Sequence, residues 1–444
     1  MSPRPTDLFG MAVVLSLASL ARAQTPVVQD NLTISAPVPI RSVQCVQAAT
    51  CRDPLDQSID ALISSIDRDW LGVPCAPSKY TIWGSAEYML SFLPGSSTPP
   101  LITSSPNGIP QGTAAVLGQP STSTLFGGNS ISSNPYSGLR LTAGMWLSST
   151  RGVEISGFFL GDRMTSFHAS GSGAADSVAV GRPFIDATTG RETVAYSAFA
   201  GQLGGTSAAT MNTSLWGTEI NALFREEVSR RFQLTLLAGG RYLNLDQQLE
   251  MTDTTTPQGT ATVPFAGLLA ITNPNMVRVT DSFQTRNQFL GGQLGLRSKV
   301  DVGKFEVGLG GKIAFGATRQ TLTINGQSEG LASNGQLLIM TPGGLLANNS
   351  NMGSYSRNVA GIVPEFEVKV SYRVTENFSV FASYNFLYWD NVANVGNQVS
   401  RSVNLKNVPT SAVFASAPGT IGAATISPSD FSVNTFLFGG LLKF

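Results

Sequence analysis

The stretch "KFEVGLGGKIAFGA", Lys304–Ala317, alternates two chemistries residue by residue. Its odd positions read Phe305, Val307, Leu309, Gly311, Ile313, Phe315 and Ala317. Its even positions read Lys304, Glu306, Gly308, Gly310, Lys312, Ala314 and Gly316. Side chains alternate faces along a strand, so the segment has one greasy and one polar side. The pattern returns at Phe366, Val368, Val370 and Tyr372 against Glu365, Glu367, Lys369, Ser371 and Arg373. Leu139, Leu141, Ala143 and Met145 oppose Arg140, Thr142, Gly144 and Trp146 in the same way. So do Phe232, Leu234, Leu236, Ala238 and Tyr242 against Gln233, Thr235, Gly239 and Arg241.

Working outward, the chain reads as ten such segments, near 80–92, 137–149, 152–166, 209–226, 231–250, 282–301, 304–325, 361–374, 377–392 and 431–444. The even-numbered segments are followed by short links, "SSTRG", "EEVSRR", "KVDVGK" and "RVTEN". The odd-numbered ones are followed by long links rich in Gly, Ser, Thr, Asn and Pro, near 93–136, 167–208, 251–281, 326–360 and 393–430. A soluble sandwich has no reason to keep every long loop at one end; a transmembrane barrel has tight turns inside and long loops outside.

Alternation alone also suits a soluble sheet with one wet face. Two features favour the barrel. The polar face carries charges of mixed sign interrupted by glycines, which suits a crowded lumen. Aromatic residues recur near segment ends, at Tyr80 and Phe92, Trp216 and Phe224, Phe232 and Tyr242, and Phe378 and Tyr388, where interfacial girdles belong. The expected fold is therefore all-β: a closed antiparallel transmembrane β-barrel of about 10 strands, with a short N-terminal helical segment. In such a ring the last strand pairs with the first. The apolar Phe436, Phe438 and Leu442, with the terminal Phe444, would then meet lipid and serve as the mark read by the barrel assembly machinery.

The N-terminus reads as an address. Arg4, the apolar run Leu8–Leu20 and the small pair Ala21 and Ala23 make residues 1–23 a cleavable secretory signal. Residues 24–79 form a separate periplasmic piece. Within it "DPLDQSIDALISSIDRDWLG" spaces Leu55, Ile59, Leu62, Ile63, Ile66 and Trp70 on one helical stripe, with Asp53 as cap and Pro54 in the first turn. Cys45, Cys51 and Cys75 all fall here. A Cys45–Cys51 bridge closes the tighter loop and Cys51–Cys75 tethers the helix; the sequence leaves both open. Residues 80–444 are the barrel.

Composition narrows the function. Charged residues make up 13% of the chain, about half the share usual in soluble domains. Lys plus Arg number 28 and balance 28 Asp plus Glu, which argues against a nucleic-acid partner. The single histidine, His168, excludes a multi-histidine metal site, and no cofactor is expected. "GLGGK" at Gly308–Lys312 lacks the spacing of a phosphate loop and lies mid-strand. His168, near Asp162 at the outer end of the third segment, reads as a polar rim residue, so no enzyme is expected. The inward charges are the functional candidates: Glu87, Arg140, Glu154, Glu219, Arg225, Arg241, Arg297, Lys304, Glu306, Lys312, Glu365, Glu367, Lys369 and Arg373. In a pore such residues set ion selectivity; in a narrow barrel they can fill the lumen as ion pairs.

An ordered series of motifs carries a family resemblance: "EYML", "PPLITSSP", "LFGG", "SGLRLTAGMWL", "GVEISGFFLGDR", "GRPFIDATTGRE", "LWGTEINALF", "LLAGGRYLNLDQQLEM" and "DSFQTRNQFLGGQLGL". The set resembles the β-barrel porin family of type 7, densely over residues 80–325 and more loosely beyond. The resemblance implies a bacterial outer-membrane barrel with porin-like transport. The expected function is passive passage of small polar solutes or ions, with a mild anion preference because basic residues outnumber acidic ones in the lumen set. The alternative is a narrow plugged barrel acting as a structural or adhesive surface protein, its long loops meeting an extracellular partner. Outer-membrane lipid is the expected surround.

Overall fold

The computed structural model describes residues 81–131, 135–267, 269–415 and 424–444. The signal segment, the N-terminal helix, the three cysteines and Tyr80 lie outside the described residues. Ten long strands carry the fold: β1 (Thr81–Phe92), β2 (Tyr136–Trp146), β3 (Arg151–Gly171), β4 (Leu203–Ser229), β5 (Phe232–Pro257), β6 (Met276–Val302), β7 (Phe305–Leu331), β8 (Gly353–Arg373), β9 (Phe378–Val392) and β10 (Ser429–Lys443). Each pairs antiparallel with its neighbours in sequence, and β1 pairs with β10 from Trp83↔Lys443 to Phe92↔Asn434. The result is a ring-like sheet.

Its closure is uneven. The β8–β9 ladder runs only from Glu365↔Leu387 to Arg373↔Ser379, although β8 continues to Gly353 along β7. Above the break, side chains replace the ladder. Asp390 Oδ1 accepts the Ile362 N–H at 2.6 Å, and Asn391 Nδ2 donates to the Ala360 carbonyl at 3.3 Å. Asn391 itself has φ 50°, a left-handed conformation that asparagine tolerates better than most residues.

The apolar faces point outward. On β7, Phe305, Val307, Leu309, Ile313 and Phe315 are exposed, and on β6 so are Leu290, Leu294, Leu296, Val300 and Val302. Twelve residues separate Phe305 from Ala317, roughly 40 Å of strand and about 28 Å of height at a 45° tilt, which matches a hydrocarbon core. Above that belt the outward residues turn polar: Arg319, Thr321, Thr323 and Asn325 on β7, Gln288, Arg286 and Gln284 on β6. Trp216 and Tyr242 mark the change, their rings 5.2 Å apart at the loop-side edge of the belt. Phe224 and Phe305 stand exposed at the turn-side edge. On β10, Phe436, Phe438 and Leu442 face outward as expected, and Phe444 is 75% exposed.

The strands outrun the expected boundaries. β4, β6 and β7 each reach 27 residues, well past the belt. Their outer ends read as loop by composition, being full of Thr, Ser, Gln and Gly. Yet threonine is a good strand former, and each outer end keeps one buried residue in two: Ala209 and Met211 on β4, Leu249 and Met251 on β5, Phe283 on β6, Leu322 and Ile324 on β7. The long connections are not irregular either. Ile102–Ser105 pairs with Ser123–Phe126 and with Ala179–Asp186, which also pairs with Glu192–Ala198 and, in parallel, with Ser402–Val403. Thr262–Phe265 and Leu269–Thr272 form a hairpin. Loop residues Leu101, Ile102, Phe126, Val180, Phe184, Leu345, Leu346 and Val395 join the inward apolar residues of β4–β7 in one core.

The belt supports a depth-dependent prediction. Leu294→Arg, in mid-belt, should cost about 2–4 kcal/mol in lipid vesicles, and Gln284→Arg, above it, about 0–1 kcal/mol. Denaturant unfolding of both variants in vesicles checks this; equal costs would place the belt elsewhere.

Candidate functional site

Three layers fill the ring. The first lies at the turn end, where a cavity of about 240 Å³ is lined by charged side chains from β1 through β8 and by Lys443 of β10. Glu87, Arg140, Glu154, Glu219, Arg225, Arg241, Arg297, Glu306, Lys312, Glu365, Glu367 and Lys369 all line it. Lys304 and Arg373 do not. Lys304 sits exposed in the β6–β7 turn, and Arg373, at the end of β8, reaches Asp301 at 3.3 Å outside the cavity. Both continue the inward phase on paper, but Lys304 lies in the turn and Arg373 is the last residue of β8, at the rim of the chamber.

Some of the charges pair across the lumen, and others, such as Arg241 with Glu219, pair along its wall. Lys312 of β7 donates to Glu219 of β4 at 2.8 Å, and Arg297 of β6 meets Glu154 of β3 through two hydrogen bonds of 3.1 and 3.2 Å. Arg241 of β5 joins Glu219 at 2.5 Å and also pairs with Glu365 of β8. Glu365 accepts from Asn385 at 2.7 Å and lies 3.2 Å from Lys312. Glu87 is held more loosely, with Arg140 and Lys369 each at 4.0 Å. Buried pairs of this kind offset the heavy desolvation of each charge only because several hydrogen bonds converge on it. They brace the barrel from inside.

The second layer is apolar. Met89, Tyr136, Leu160, Leu215, Leu243, Phe289, Ala314, Val363, Leu387 and Leu437 come one from each of the ten strands and belong to a single buried cluster. Trp389 completes it, fully buried, its ring edge-on to Phe289 and its indole N–H donating to Thr318 Oγ1 at 3.0 Å. The cluster is a disc across the lumen. Sequence reading missed it because an inward leucine every second residue looks the same as an outward one; only the register of ten strands brings them to one height.

The third layer is the loop cap above the disc. The turn Val395–Gln398 enters the ring, with the Val395 N–H on Gln247 Oε1 at 3.2 Å and Asn287 Oδ1 accepting the Ala393 N–H at 2.8 Å. Arg182, from the β3–β4 connection, is buried between Asp253 of β5 and Asp281 of β6 and pairs with both. Asp281 also accepts the Ala347 N–H at 2.7 Å, and Asp253 accepts the Ser207 hydroxyl at 2.6 Å. A Cβ on Gly344 would stand 2.1 Å from Asp281 Oδ1, so glycine is what lets that loop approach. Nearby Tyr196 donates to the Ala114 carbonyl at 2.7 Å, and burial pushes its hydroxyl up to about 12, so it remains a donor. The clue in the sequence was "SVAVGRPFI", a lone arginine in an apolar run, which demands a buried carboxylate.

His168 faces away from the lumen and is exposed on the outer part of β3, opposite Ala208. Asp162 lies six residues away, roughly 20 Å along the strand. No acid–histidine pair forms there. Among the described residues no group of His, Cys, Asp and Glu is placed to hold a metal ion.

Residues 83–444 match the family model described as "Putative beta barrel porin-7 (BBP7)". No curated protein is similar in sequence. Among solved structures, the translocator domain of the autotransporter NalP from Neisseria meningitidis is 8% identical, with 88% of this chain and 95% of that one covered at a TM-score of 0.24. A Pseudomonas aeruginosa FadL homologue is 6% identical, with 82% and 90% covered at 0.21. TM-scores this low leave the fold to rest on the strand pairing itself.

The cap yields a prediction. Arg182→Met strands two buried carboxylates, which should cost the cap about 3–5 kcal/mol. Limited proteolysis should then cut within 172–202 far faster than in the parent chain while the ring survives; unchanged resistance would show that the pairs do not hold the cap.

Proposed function

Because the chain belongs to the BBP7 family of β-barrel porins and sits in the bacterial outer membrane, we propose that its lumen is a sealed one: a structural, loop-presenting barrel rather than an open diffusion pore. The apolar disc carries this reading. Every strand contributes a buried side chain to it, so the seal belongs to the wall and does not depend on a loop being in place. A hydrated ion crossing it would shed water against a mostly apolar layer whose buried polar groups, such as Trp389 Nε1 and Thr318 Oγ1, are already bonded to each other. Ten strands also enclose far less space than the 16 to 18 strands typical of aqueous porins.

The same geometry speaks against free passage of polar solutes. The excess of basic over acidic residues in the chamber cannot select anions for a pore that the disc closes. On this reading the cross-lumen ion pairs brace a stable cylinder, and the work is done at the outer face, where the loops fold into sheets of their own. An extracellular partner would meet that face. The outward Phe436, Phe438, Leu442 and Phe444 would serve recognition during assembly. We assign no catalytic step, since His168 stands alone on an outer strand face.

Planar-bilayer recording tests the seal. Refolded protein, shown to be inserted by heat-modifiable migration, should give no steady steps above lipid background, and vesicles carrying it should swell in small sugars no faster than bare lipid. Stable steps from the unmodified chain would overturn the sealed reading.

A further inference from the structure

A lumen closed by the disc turns the charged chamber into a pocket with one mouth, at the turn end. We propose that this mouth binds a small organic carboxylate, gripped by Arg225, Lys443 and the Trp83 indole N–H. The inference goes beyond the sealed reading, since equilibrium binding at the mouth does not require passage.

The charge inventory points to an anion. Each glutamate of the chamber but one has a cation partner, from Glu219 with Lys312 and Arg241 to Glu306 with Lys299. Arg225 and Lys443 are left over: neither makes an ion pair among the described residues, Arg225 has only the more distant Glu227, and Lys443 feels Glu306 against the three cations Lys299, Arg373 and Arg225. The one glutamate without a contact partner, Glu367, stands in the fields of Lys369, Arg140, Arg297 and Lys312, so it leaves the mouth's cations unclaimed.

The donor inventory agrees. Trp83 Nε1 and Arg225 Nε are buried, line the chamber and have no hydrogen-bond partner, and deeper in the same cavity Arg241, 4% exposed, leaves Nη1 unpartnered. Against these three N–H donors stands one orphan acceptor of the lining, Glu87 Oε2. A ligand that satisfies the set must be rich in acceptors. Buried donors without partners are costly, so an acceptor that meets them gains their desolvation as well as its own bonds.

The geometry places the three groups together. Trp83 and Lys443 are register partners across β1 and β10. Arg225 lies 3.6 Å from the centre of the Trp146 ring on β2, the strand next to β1. Trp146, Leu223 and Leu441 give the mouth an apolar wall. A planar guanidinium fork suits a carboxylate, and two free cations facing several glutamates suit one negative charge better than two. The cavity, about 240 Å³, is smaller than the 300–1,000 Å³ typical of drug-sized ligands, so the occupant is compact.

Calorimetry on the full chain in detergent tests this, with benzoate as probe, benzamide as its neutral isostere and inorganic phosphate as a bare anion. Benzoate should bind saturably, benzamide should give no heat, and phosphate should bind more weakly than benzoate. Arg225→Gln and Lys443→Gln should each weaken benzoate by about tenfold or more, and Trp83→Phe by several-fold, in variants that keep heat-modifiable migration. Absence of saturable benzoate heat, equal binding of benzamide, phosphate as tight as benzoate, or parental affinity in both charge variants would each overturn the proposal. Conductance of the unmodified chain would sink the sealed reading and leave this one standing.

Discussion

In hydrocarbon a backbone N–H or C=O without a partner costs several kcal/mol, and this demand decides the molecule. The β1–β10 ladder, from Trp83↔Lys443 to Phe92↔Asn434, is where the demand is met last, because it joins chain segments more than three hundred residues apart. Everything else follows from closing that seam. Phe436, Phe438 and Leu442 can be apolar only because their strand has a partner on each side and lipid in front. Where the ring fails to close by ladder, above Glu365, the Asp390 and Asn391 side chains supply the missing acceptor and donor. That break begins inside the belt, where Pro364 and Ile362 pair with Ile313 and Phe315 of β7, so the two side chains stand in for ladder bonds at membrane depth.

Closure creates the second problem, which is what to put inside. Ten strands leave too little room for a water column and too much for the wall side chains to meet everywhere. The solution changes with height. At the turn end long charged side chains span the gap in pairs, Arg297 to Glu154 and Lys312 to Glu219. In the middle, leucines and two large aromatics, Phe289 and Trp389, meet across the axis. At the loop end inward wall residues from Ala209 and Met211 to Phe283 leave the core incomplete, and the connections enter to fill it.

The ring was legible from sequence because its cause is local. Alternation over Lys304–Ala317 needs no knowledge of the rest of the chain, and short turns such as "RVTEN" announce themselves. All ten strands lie where that reading puts them, and most of the inward charges do line the chamber. Lys304 misled because parity continues past the point where the strand ends, and Arg373 because, as the last residue of β8, it turns to Asp301 instead of the cavity. The outer halves of β4–β7 were illegible for a different reason. Their outward residues are Thr, Gln and Arg rather than apolar ones, so the contrast between faces inverts above the membrane and the signal drops out. The disc and the cap depend on register between distant strands, which no window of sequence contains.

Arg182 shows why the cap cannot be explained by burial alone. One cation shared by two carboxyl groups in a nearly dry core is a costly arrangement, and burial pushes the Asp253 carboxyl up; apolar residues of similar volume often do as well or better. What the arrangement supplies is position. A leucine would accept many packings against Phe184 and Val180; Arg182 accepts only the one that brings Asp253 and Asp281 together, and Asp281 in turn fixes the 343–352 loop through the Ala347 N–H. The Leu345 and Ala347 amides donate to Asp281, and Gly344 keeps the space for them. Loops rich in Gly, Ser and Thr have little intrinsic preference for one fold, so a charge that tolerates a single geometry decides among their alternatives.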